Sequence, residues 1–176
     1  MKPLLIIVAA VLLAIPALAA AGPYTLPPTN AASHACKAER AAMGVDLFRA
    51  TYGTNKNKRN ALGKCISKHT KTEKVNQTNA AKACDAERAD ANFAAGHGGK
   101  TFDQFYGTGK NGSNAYGKCV SSKAKAASNA DVKADTNAAR KCKTARKDAD
   151  QFADDWGPKR NAFGKCVSAT AKTLHA

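Results

Sequence analysis

The pair Gly-Lys stands directly before a cysteine three times, at Gly63-Lys64, Gly117-Lys118 and Gly164-Lys165. Asn60, Asn114 and Asn161 each precede the Gly by three residues. More cations lie just upstream: Lys56, Lys58 and Arg59, then Lys110, then Lys159 and Arg160. If the Asn opens a helix, Gly-Lys falls in its first turn. Backbone N–H groups there lack partners, Gly permits close approach, and converging cations suit phosphate, sulfate or carboxylate. Gly costs up to about 1 kcal/mol in a helix, and a cation at the N-terminus opposes the macrodipole. No Asp or Glu follows in those turns to compensate. A plainer account of the same residues is that Gly admits a neighbouring helix and Lys is solvated.

Other chemistries find less support. The stretch "GSNAYGKC" at residues 112–119 nearly matches the phosphate loop G-x-x-x-x-G-K-S/T. It ends on Cys, follows no apolar strand, and has Lys58 and Lys159 in place of the first Gly in the two parallel stretches. His34, His69, His97 and His175 share no common position and form no metal-ligand spacing. Asp46, Asp103 and Asp150 recur without an acidic or His partner nearby in sequence. No catalytic residue, metal or cofactor is therefore expected, and a hydrolase site would have to be assembled from distant parts of the chain.

Aligning the chain on its cysteines shows what must position these groups. Three segments open with Asn-Ala-Ala and a Cys, carry Arg40, Arg88 or Arg146 four residues later, and continue through an Asp-x-Phe and an aromatic-Gly. Each closes on the Asn-Ala-x-Gly-Lys-Cys stretch. Self-similarity of this kind points to repeats. Ala and Lys dominate, so each unit reads as helix, basic loop, helix. Asn30, Asn79 and Asn137 suit N-caps of the first helices, and Asn60, Asn114 and Asn161 those of the second. Gly53, Gly107 and Gly157 suit C-termini. Unit two carries an insertion at residues 96–101 that interrupts its first helix. Between units neither Gly nor Pro intervenes, so one helix runs into the next. Arg40, Arg88 and Arg146 border the cysteine stripe and are expected to be structural, with Asp150 a helix partner for Arg146.

Cys36, Met43 and Leu47 share one helical stripe, and Leu62, Cys65 and Ile66 another. Stripes meeting would join Cys36 to Cys65. Repeat symmetry then favours Cys84–Cys119 and Cys142–Cys166 among the pairings open to six cysteines. Large apolar residues are few: Phe48, Tyr52 and Leu62; Phe105, Tyr106 and Tyr116; Phe152, Trp156 and Phe163. With so small a core per unit, a disulfide adding about 3–4 kcal/mol is needed. The expected fold is all-α: three helix–loop–helix repeat units, at residues 30–75, 76–129 and 130–176, with one staple each.

Residues 1–21 have the layout of a signal peptide, with cleavage after Ala19 or Ala21, and no transmembrane segment follows. A Pro-rich mobile leader is expected over residues 22–29. Export agrees with a disulfide framework. The chain has 28 Lys+Arg against 13 Asp+Glu and a formal net charge of +15, which predicts affinity for polyanions. The "NAFGKCVS" stretch resembles Cys repeats of uncharacterised secreted bacterial proteins, a likeness that implies export and repetition but no activity. The expected function is non-enzymatic binding of teichoic acid, anionic polysaccharide or phospholipid head groups through the basic loops at residues 54–59, 108–113 and 158–160. Nucleic acid would bind only nonspecifically, and a protein–protein module is the alternative.

Overall fold

The computed structural model describes residues 26–109 and 111–174. The expected signal peptide, the first half of the leader, Lys110 and His175 lie outside them, and the last two leader residues, Pro28 and Thr29, already belong to a helix. Every regular element among the described residues is a helix: α1 (Pro28–Met43), α2 (Val45–Tyr52), α3 (Ala61–Ala89), α4 (Phe93–Gly96), α5 (Phe102–Tyr106), α6 (Ala115–Ala145), α7 (Ala149–Trp156) and α8 (Ala162–Leu174). Three disulfides join Cys36 to Cys65, Cys84 to Cys119 and Cys142 to Cys166, the pairing expected from the stripes. Among the described residues no helix is long and apolar enough to cross a membrane.

The two long helices set the architecture. α3 carries Cys65 near its start and Cys84 near its end, and α6 carries Cys119 and Cys142 in the same way. Each therefore serves two disulfides, and the expected boundaries at 76 and 130 fall inside continuous helix. Asn79 and Asn137 are consequently interior residues rather than caps. Asn30 also lies within a helix, because α1 starts at Pro28, where proline's missing N–H costs nothing.

The segments before the aromatic-Gly pairs are not single helices. Gly44, at φ +80°, breaks α1 from α2. Asp148 accepts from the Gln151 backbone N–H and starts α7 afresh after α6 ends. In the middle segment the chain breaks after Ala89, and the inserted residues lead into α5, which opens on a capping box from Thr101 and Gln104.

The core is three clusters, each wrapped around a disulfide. Phe48, Tyr52 and Ala61 surround Cys36–Cys65. Phe93, Phe102 and Val120 surround Cys84–Cys119, whereas Phe105, expected in the core, is 46% exposed. Phe152, Phe163 and Val167 surround Cys142–Cys166, with Met43, Leu47 and Ala50 packed against them. α1 packs on both α3 and α6, and α2 packs on α8, so the first described helices close against the last.

A candidate anion-binding cleft

The closure of α2 onto α8 creates the basic cleft. Arg49 comes from α2, Lys58 from the α2–α3 loop, Arg146 from the end of α6, and Lys159 and Arg160 from the α7–α8 loop. They line a cleft of about 550 Å³ whose wall includes Phe152 and Phe163. Asp46 is its one acidic lining residue. Burial, then the Arg146 and Arg160 charges, pull the Lys58 ammonium below its ordinary value. Arg146 also lies over the Phe163 ring, 6.0 Å from its centroid.

Lys58 is held there by an uncommon backbone. Its φ is +55°, the left-handed region that side chains disfavour. The parallel position in the next loop is Gly112, at φ +60°. The preceding glycines, Gly53 and Gly107, have extended φ values of −71° and −73°, so it is closeness that requires them. A Cβ on Gly53 would stand 2.5 Å from the Lys58 Cβ, and one on Gly107 2.6 Å from the Gly112 Cα.

Asn60 and Asn114 occupy the N-cap position, but their side chains do not cap. Asn60 Oδ1 accepts from the Thr54 N–H at 3.1 Å, and its Nδ2 donates to Thr54 Oγ1 at 2.8 Å. Asn114 clamps Thr108 in the same way, at 3.0 and 2.7 Å. These loops are thus cinched shut, and the first turns of α3 and α6 carry no side-chain cap.

Of the residues expected to bind anions, the cleft gathers Lys58, Lys159 and Arg160. Lys56, Arg59, Lys64, Lys118 and Lys165 are exposed and do not line it. The three Gly-Lys glycines differ from one another. Gly63 faces open space, Gly117 is buried, and a Cβ on Gly164 would stand 2.9 Å from the Thr51 carbonyl of α2. Arg40, Arg88 and Arg146 are all exposed, and Arg146 lies over the core ring of Phe163. Arg146 ends α6 while Asp150 belongs to α7, so the two share no helix face.

The buried ionisable residue lies one position earlier. Glu39 is fully buried and accepts from the Tyr52 hydroxyl at 2.5 Å. Glu87 accepts from Tyr106 at 2.8 Å and pairs with Lys123 at 2.7 Å. In the third segment Ala145 and Trp156 replace Glu and Tyr together. Four residues after the second cysteine stands His69, Lys123 or Thr170. His69, on α3, reaches Glu39 of α1 and also Asp135 of α6, which Lys68 pairs at 3.0 Å. Burial opposes the imidazolium, but the Asp135 and Glu39 carboxylates facing it outweigh burial and raise His69 to about 9.

No known protein family, curated protein or solved structure matches the chain.

Proposed function

We propose that the protein is an exported, non-enzymatic binder of anionic polymers of the cell envelope or its surroundings: teichoic acid, acidic polysaccharide or phospholipid head groups. The observation that carries this reading is the cleft itself, where cations from four separate segments converge around a single carboxylate. Like charges brought together repel, and an anionic ligand relieves that repulsion. A surface that needed only solubility would gain nothing from holding Lys58 in a left-handed conformation beside Arg146 and Arg160. The chain is read as three helix–loop–helix units, of which the first and third build one main site, with the remaining loop cations adding weaker contacts.

The test is binding of the oxidised protein to a sulfated polysaccharide, polyphosphate and anionic vesicles at rising salt. Binding is expected at low salt and release at high salt. A Lys58→Gln/Arg146→Gln/Arg160→Gln variant should lose far more affinity than Lys37→Gln/Lys82→Gln/Lys143→Gln, which leaves the cleft untouched. Equal losses in the two variants, or binding that high salt leaves unchanged, would overturn the assignment.

A second reading rests on Phe105. It is exposed, with its centroid 4.6 Å from that of His97 on the inserted segment, and His97 stacks on Phe93. An exposed aromatic on a short helix beside the insertion suits a protein partner. Such binding would tolerate salt and would be lost on Phe105→Ala.

A further inference from the structure

Four helices each send one polar side chain to a single buried point. Glu39 comes from α1, Tyr52 from α2, His69 from α3 and Asp135 from α6, with exposures of 0%, 7%, 1% and 4%. His69 Nε2 lies 2.8 Å from Glu39 Oε1, 3.4 Å from Asp135 Oδ2 and 3.4 Å from the Tyr52 hydroxyl. The hydroxyl lies 2.5 Å from Glu39 Oε2 and 3.1 Å from Asp135 Oδ2. Four donors about 2.0 Å from a tetrahedral ion would stand about 3.3 Å from one another. The separations in this cluster run on either side of that edge.

Protons satisfy this arrangement poorly. The imidazole has one proton on Nε2 for three neighbouring oxygens, and the phenol one for two carboxylates. Glu39 Oε1, fully buried and close to Nε2, accepts no well-directed hydrogen bond. The corresponding position in the next segment needs nothing of the kind. There Glu87 meets Tyr106 and a simple Lys123 counter-ion, at a partly exposed position. His69 and Asp135 are additions peculiar to this one place.

We propose that Glu39, Tyr52, His69 and Asp135 form a buried site for a divalent transition-metal ion, zinc above all. Imidazole nitrogen and carboxylate oxygen are both zinc ligands, Glu39, His69 and Asp135 bring three of them within 4.8 Å of one another, and the Tyr52 phenol supplies the fourth donor. The ion takes the place of two protons, one from Nε2 and one from the phenol, so the net charge of the buried cluster is unchanged. Lys68 supports the site from outside through Asp135. All six cysteines are held in disulfides and are no competitors for the ion. Because the donors are buried, the ion enters as the protein folds.

The full chain is refolded oxidatively with zinc, or with a chelator, and its metal content measured after gel filtration. About one zinc per chain is expected, with a melting temperature several degrees above that of the chelator-refolded protein. Magnesium should give neither effect. His69→Gln and Asp135→Asn should lose the zinc and its thermal shift, while Lys123→Gln, altering the parallel cluster, should retain both. Cobalt refolded into the wild type should show the intense visible absorption of tetrahedral Co²⁺, a readout that does not depend on any variant folding. Less than a tenth of an equivalent of zinc with no thermal shift, equal zinc in His69→Gln, or weak octahedral cobalt absorption would each overturn the proposal and leave the cluster an ion-pair network.

Discussion

Lys58 should weaken the fold while serving the cleft, and two substitutions separate its two costs. The first cost is conformational. A side chain at φ +55° pays about 1 kcal/mol relative to glycine, which the parallel Gly112 avoids. The second is electrostatic. Lys58 faces Arg146 and Arg160 at a partly solvated position, a repulsion worth a few tenths of a kcal/mol. Lys58→Gln removes the charge and keeps the backbone strain. Lys58→Gly removes both. For a chain of this size 1 kcal/mol moves the melting temperature by about 3 °C. Calorimetry at low salt should therefore rank the proteins Lys58→Gly above Lys58→Gln above wild type, with the larger step between the variants. In high salt the Gln advantage should vanish through screening, while the Gly advantage over Gln persists. Both variants should bind polyphosphate about five-fold more weakly, the effect of about 1 kcal/mol for one cation near an anionic surface. A Lys58→Gly protein less stable than Lys58→Gln would refute the strain. A Lys58→Gln protein with no low-salt gain would refute the repulsion.

Three further outcomes follow from the geometry. Burial raises the Glu87 carboxyl, but hydrogen bonds from Lys123 and Tyr106 outweigh it and hold it below its ordinary value of 4.5. Its contribution to stability is thus present above that ordinary value and lost as pH falls through the depressed one. Acid titration followed by circular dichroism should show Glu87→Gln with a shallower acid limb than wild type, and an unchanged limb would argue against the pairing. Asn60→Ala and Asn114→Ala each open a loop clamp and should cost about 0.5–1 kcal/mol in denaturant melts. Asn161→Ala, whose loop has Pro158 where the others have Thr, should cost less. Gly63→Ala meets open space and should be neutral or stabilising by thermal melt, whereas Gly164→Ala presses on the Thr51 carbonyl, destabilises α2 on α8, and should weaken polyanion binding along with it.

How much of this the sequence displays depends on the range of the interaction. The disulfide pairing was legible because the cysteines fall on apolar stripes that recur in register, and symmetry does the rest. The helix breaks at Gly44, Asp90 and Arg146 were not, since only Gly44 carries an evident breaker. The placement of Phe105 failed for a local reason: Phe93 and Phe102, on either side of the insertion, fill the position around Cys84–Cys119 and leave Phe105 outside. The cleft was half legible. Lys58, Lys159 and Arg160 are visibly basic loop residues, but that they meet each other depends on α2 closing against α8, and no periodicity reports that contact. Asn60 and Asn114 look like caps because Asn before a helix usually is one; the matching Thr six residues upstream is the signal that they bond elsewhere.

The buried cluster left a trace that spacing alone could have shown. Three positions vary together down the repeat: Glu39, Tyr52 and His69; Glu87, Tyr106 and Lys123; Ala145, Trp156 and Thr170. Where the acid is kept, so are the phenol that donates to it and a cation that balances it. Where the acid is lost, the phenol gives way to an indole and the cation to a hydroxyl. A buried carboxylate without its donors is strongly destabilising, so acid, phenol and cation are kept together or lost together. Each of the three disulfide-centred clusters carries a different set of polar groups. The third segment retains the staple with a largely apolar core and turns its loop cations into the cleft. The second keeps a plain, half-exposed ion pair and carries the insertion. The first replaces lysine with histidine, which can give up its proton to a metal ion as lysine at neutral pH does not, and it alone recruits a second carboxylate from α6.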